Sequence, residues 1–160
     1  MTVRLALVLL TLPLAASRAR APDAVAVAAD AATEMRALWS ASVAAHTELV
    51  ACLASTVDGD TLRITRIQPL FAGADSLAVS AESSLDTCGP PMWQGTVHTH
   101  IALTANQRPY ALFSGADRGI MLMWWQRWKS DGTFCLLYTQ DQAHCEIDGS
   151  RVLIFPTTSY

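Results

Sequence analysis

Four cysteines, Cys52, Cys88, Cys135 and Cys145, constrain this chain more than any other feature of it. An even number of cysteines behind an export-type leader implies a disulfide framework. None of the spacings is C-x-x-C, which argues against a four-cysteine zinc site. Sequence alone leaves three ways to pair them. Cys135 and Cys145 flank a hairpin expected between Phe134–Thr139 and His144–Ile147, which favours joining those two and leaves Cys52 for Cys88.

The leader is read from the first residues. Arg4 supplies a short positive region, and Leu5 to Ala16 form an apolar stretch of signal-peptide length, too short to span a bilayer comfortably. Ser17-Arg18-Ala19 offers a small-x-small cleavage site, which predicts a signal peptide over 1–19 and a mature chain over 20–160. A chain of 160 residues suggests one domain, large enough to bury a core of its own. Removing Arg4 and Arg18 moves the formal charge from −3 to −5. A mildly acidic chain without a Lys/Arg cluster argues against nucleic acid as a partner. No later segment is long and apolar enough for a membrane helix, so no stable membrane insertion is expected once the leader is cut. These readings place the protein outside the cell or in a periplasm.

The rest of the chain reads as alternating elements. Asp23 to about Ala45 is Ala-rich, with Met35, Leu38, Trp39 and Val43 at helical spacing, and predicts a helix with Asp23 near its start. Glu48 to Ser55 predicts a buried strand, Asp58-Gly59-Asp60 a turn, and Thr61 to Leu70 a paired strand. A further strand is expected over Ser76–Ser80, and Cys88-Gly89-Pro90-Pro91 is loop chemistry. Trp93 to His100 predicts a strand, Ile101 to Ala111 an irregular stretch, and Ser114 to about Trp128 a helix. The hairpin follows, and Arg151–Phe155 is expected as a last strand. A helix, several strands, a helix and more strands predict α/β or α+β layering.

The chemistry concentrates in Gly95-Thr96-Val97-His98-Thr99-His100. On a strand, residues i and i+2 point to one face, so His98 and His100 can chelate one metal ion from a rigid element. Ser114-Gly115-Ala116-Asp117 lies downstream, and Ser-x-x-acid is also a capping-box helix start. The two readings are compatible, since a cap fixes the carboxylate at the first turn. Two imidazoles and one carboxylate leave a fourth tetrahedral position for water, the open type of site found in catalytic zinc centres. Rival H-x-H classes fit poorly. Ile101 to Ala105 lacks the Glu of the cupin pattern, and Ile101-Ala102 stand where metallo-β-lactamases carry Asp-His. His46 and His144 read as a helix-end residue and an exposed hairpin residue. Met121, Met123, Trp124, Trp125 and Trp128 read as core, with one of the two adjacent tryptophans exposed.

The ordered set Glu48, His98-x-His100 and Ser114-x-x-Asp117 resembles the JAMM motif of MPN-type (JAB-domain) metalloproteases over roughly Met35 to Ile147. The chain differs at Ala51 and Ser55, where the family usually has Gly, and at Ile101 and Phe113, where it has Pro. The resemblance implies an MPN/JAB (cytidine-deaminase-like) fold, with a central mixed sheet flanked by helices. It implies zinc on His98, His100 and Asp117, with Glu48 as proton carrier and Ser114 as hydrogen-bond donor to the developing oxyanion. The activity implied is hydrolysis of a peptide or isopeptide bond, with a protein tail as substrate. A non-catalytic binding module on the same scaffold is the alternative.

Overall fold

The computed structural model describes residues 23–70 and 81–160. The expected leader and the expected strand over Ser76–Ser80 lie outside the described residues.

The protein is a mixed sheet with helices on both faces. Its elements in chain order are β1 (Ala24–Val27), α1 (Ala29–Ala45), β2 (Val50–Asp58), β3 (Thr61–Pro69), α2 (Ala81–Thr87), β4 (Gly95–Thr99), α3 (Gly115–Trp128), β5 (Gly132–Thr139), β6 (Gln142–Asp148), β7 (Leu153–Ile154) and β8 (Thr158–Ser159). The strands run β1-β3-β2-β4-β5-β6-β7, and β8 pairs with β6. Pairing is parallel at β1/β3 and β4/β5 and antiparallel elsewhere.

Side-chain alternation sorts each strand between two apolar layers. Ala51, Leu53, Val97, Cys135, Leu137, Cys145 and Ile147 meet Met35 and Leu38 of α1. Cys52, Ala54 and Phe134 meet Leu85 and Cys88 near α2 and Met121 and Trp124 of α3. β4 and β5 lie at the centre with helices on both sides, so the sheet's middle is largely buried and its register firmly set.

Two expectations at the chain's start and end are corrected. Asp23 does not open a helix, because Ala24–Val27 forms a strand parallel to β3. Ala-Val-Ala-Val alternates with period two, and an available strand edge outweighs the helical propensity of alanine. The last strand shrinks to Leu153–Ile154, with β8 beyond it. β4 is shorter than expected, and Trp93 packs in the core just before it. α2 was not anticipated. The Asp58–Asp60 turn is present, with Gly59 at φ +59°, where a glycine is favoured.

The disulfides join Cys52 to Cys88 and Cys135 to Cys145. Cys135 and Cys145 are direct cross-strand partners on β5 and β6, and Cys52–Cys88 ties β2 to the end of α2. By loop length these restrict the unfolded chain by about 3 kcal/mol for the short loop and about 4 kcal/mol for the long one. Two disulfides suit an oxidising environment. Among the described residues, no helix is long and apolar enough to cross a membrane.

Candidate metal centre

His98 and His100 reach the α3 face of the sheet because the residue between them is tied to the other face. Thr99 is fully buried. Its hydroxyl meets Ser42 Oγ of α1 at 2.6 Å and accepts from Leu49 N at 2.9 Å. Backbone bonds from Thr99 N to Leu49 O and from His100 N to Leu137 O hold the end of β4 between its neighbours. With Thr99 turned toward α1, the two histidines must turn away from it.

α3 supplies the third group. Ser114 is its N-cap, and Asp117 is its third helical residue, in a reciprocal capping box. Ser114 Oγ accepts from Asp117 N at 3.2 Å, and Asp117 Oδ2 accepts from Ser114 N at 2.6 Å. The box fixes the carboxylate on the first turn, where the helix dipole also favours negative charge. Both readings of Ser-x-x-Asp therefore hold at once: the cap aims the carboxylate.

The three side chains converge. His98 Nε2 and His100 Nε2 lie 3.2 Å apart. Asp117 Oδ1 lies 3.3 Å from His98 Nε2, and Asp117 Oδ2 lies 3.5 Å from His100 Nε2. A tetrahedral ion with ligands at about 2.0–2.1 Å sets its donors about 3.3 Å apart. The donor set and its spacing are compatible with a tetrahedral metal ion, and the His98–His100–Asp117 group could hold one. His100 Nδ1 lies 3.3 Å from Tyr110 O, so an Nδ1–H donated to that carbonyl leaves the Nε2 lone pair facing the site.

The electrostatics follow from this closeness. The hydrogen bond with Asp117 raises the His100 pKa above its ordinary 6.5; burial opposes this, and the charges of Glu48 and Asp117 add to it. Burial pushes Asp117 upward, but hydrogen bonds from His100, His98 and Ser114 and the charge of His98 outweigh it, holding the carboxyl well below its ordinary 3.8.

Glu48 precedes β2 and is exposed. The β2/β4 register pairs Val50 with His98, and extended by two residues it sets Glu48 opposite His100. Ser114 is exposed at the helix start, and because its oxygen accepts from Asp117 N, its hydroxyl hydrogen is left to donate elsewhere. The structure thus brings His98, His100, Asp117 and Ser114 together, with Glu48 on the rim.

One cluster was missed, and one expectation about it is corrected. His144 is not an exposed hairpin residue; it is only 7% exposed. The His144 Nε2 atom lies 2.8 Å from Oε1 of Glu146, which is fully buried. Arg118 of α3 grips both oxygens of Glu146 and lies 3.6 Å from Asp148. Burial pushes Glu146 upward, but the hydrogen bonds of Arg118 and His144 prevail and keep it below its ordinary 4.5. Phe113 stands between the two groups, with ring centroids 5.7 Å from His98 and 5.5 Å from His144. The signal in sequence was His144-x-Glu146, an i/i+2 pair on a strand, but nothing local showed that α3 covers it. His46, by contrast, caps the end of α1 with φ 51°, a helix-end residue as expected. Met121 and Trp124 are buried as core, while Met123 is exposed and Trp125 half-buried.

No protein-family model matches the chain, and a search of curated proteins finds no similar one.

Proposed function

We propose that the protein is an exported zinc-dependent hydrolase, a peptidase or isopeptidase of JAMM/MPN type. The observation that carries this reading is the convergence of His98 Nε2, His100 Nε2 and the Asp117 carboxylate oxygens within 3.2–3.5 Å, two imidazoles and one carboxylate among the described residues. The order of elements around them adds support. A helix precedes Glu48, the H-x-H ends a central strand, and the Asp sits on the first turn of the next helix. The two disulfides support export.

His98, His100 and Asp117 would hold the zinc ion. When bound, zinc supplies Lewis acidity toward a carbonyl and toward water. Asp117, kept ionised by its neighbours, offsets the ion's charge, and the Tyr110 carbonyl keeps His100 in the ligating tautomer. Glu48, opposite His100, takes the proton from the attacking water and delivers it to the leaving amine. The Ser114 hydroxyl donates to the carbonyl oxygen as charge builds there. Leu103, Tyr110 and Leu112 are exposed on the loop from His100 to Ser114, apolar groups beside the site that suit a polypeptide substrate.

The test is turnover of peptide and isopeptide libraries by the zinc-loaded mature protein beside Glu48→Gln. Cleavage by the wild type, lost by about 100-fold or more in a variant that keeps its zinc, is the expected result. Full zinc occupancy without any cleavage would favour the second reading, a metal-holding binding module, for which the exposure of Glu48 is the supporting observation. Loss of zinc in Glu48→Gln would recast Glu48 as a ligand.

A further inference from the structure

Arg118 follows Asp117 directly, on the same first turn of α3. Its guanidinium does not turn to solvent alone. It forks onto both oxygens of Glu146, a carboxylate that is 1% exposed on β6. Glu146 is held in turn by His144 Nε2 at 2.8 Å, and Asp148 on the same strand lies 3.6 Å from Arg118. A two-point Arg–carboxylate pair fixes direction as well as distance. The Arg118 guanidinium also lies over the Phe113 ring, 5.3 Å from its centroid, and that ring abuts His98. Across the sheet, Glu146 pairs with Phe134 and Phe134 with Thr96, so β6 is registered rigidly to β4 through β5. The start of α3 therefore has two anchors: its own capping box, which aims Asp117, and the Arg118 fork, which fixes where the turn sits over the strands.

We propose that Arg118, through its ion pair with Glu146, is a positioning residue that sets Asp117 over the His98–His100 pair. The proposal rests on the metal-centre reading above. The cost of burying Glu146 is large unless a cation meets it. The fold meets it with the residue next to the third ligand, which couples the pairing of one carboxylate to the placement of another. Arg is needed rather than Lys because a point charge lacks the fork.

The test measures Co²⁺ and Zn²⁺ affinity, and the visible Co²⁺ spectrum, on the mature protein. It compares wild type with Arg118→Lys, Arg118→Met and the double variant Arg118→Met/Glu146→Gln, each checked for folding by circular dichroism and thermal melting. The double variant removes the uncompensated buried charge while keeping a partner for His144, so it separates stability from positioning. The expected result is metal affinity lowered by about 10- to 100-fold in Arg118→Met and in the double variant, with an altered Co²⁺ spectrum, and partial recovery in Arg118→Lys. If Arg118→Met does not fold, the other two variants decide. Folded variants with wild-type affinity and spectrum would overturn the positioning role and leave the metal centre standing. A wild type that binds neither ion would overturn both.

Discussion

Two polar clusters on one face of the sheet are built alike and end up with different chemistry. On β4, His98 and His100 stand two residues apart under Asp117 of α3; on β6, His144 and Glu146 stand two residues apart under Arg118 of α3. Phe113 separates them. In the β6 cluster the helix contributes a cation, so the carboxylate is matched internally and the group is closed. In the β4 cluster the helix contributes an anion to two imidazoles. With the imidazoles neutral, three lone-pair donors face one another, and an ion could complete the set. The sign of one helix residue decides which cluster holds itself together and which can take a metal.

The comparison breaks most visibly by removing one carboxylate from each cluster. Asp117→Ala is expected to lose metal affinity by about 100-fold or more with a stability loss of about 1 kcal/mol from the broken capping box, read by metal titration and thermal melting. Glu146→Ala should fall hardest on stability, with metal affinity reduced by about 10- to 100-fold through the lost Arg118 fork. It leaves His144 without its partner and opens a small void, and stability falls by about 2 kcal/mol in a denaturant titration. Unchanged metal binding in Asp117→Ala would remove Asp117 from the site.

A smaller effect is expected at the cap the two clusters share. Ser114→Ala removes the acceptor for Asp117 N, costing about 1 kcal/mol of stability, and on the proposed hydrolase reading turnover should fall on the order of 100-fold through the lost oxyanion donor. A variant that lost stability but kept its rate would make Ser114 a cap alone.

The smallest effect separates the clusters by pH, in metal-free protein. His100 is raised from 6.5, so its contribution is complete below pH 6.5 and is lost as pH rises through the folded value. Asp117 and Glu146 are lowered from 3.8 and 4.5, so their contributions hold above those values and fade as pH falls through the folded ones. Metal-free stability should therefore drop on passing from pH 6 to 8 in wild type, and by less in His100→Ala. An equal drop in both would place the titrating group elsewhere.

Much of the candidate metal centre was legible because its signals are local. Strand alternation orients His98 and His100, and a capping pattern marks both the start of α3 and the position of Asp117. The disulfide pairing followed from a hairpin visible in Phe134–Ile147. The β6 cluster was not legible, since His144 looked exposed until α3 was laid over it, and that covering depends on contacts between Arg118 and Glu146 that lie 28 residues apart in the chain. The first strand was hidden for the same reason: Ala24–Val27 becomes a strand only because β3 offers an edge.

The most direct test of the central claim is elemental analysis of the purified mature protein, alongside a His98→Ala/His100→Ala variant. About one zinc ion per chain in the wild type and none in the variant is the expected result. A wild type without zinc even after zinc is supplied, or a variant that keeps it, would contradict the account.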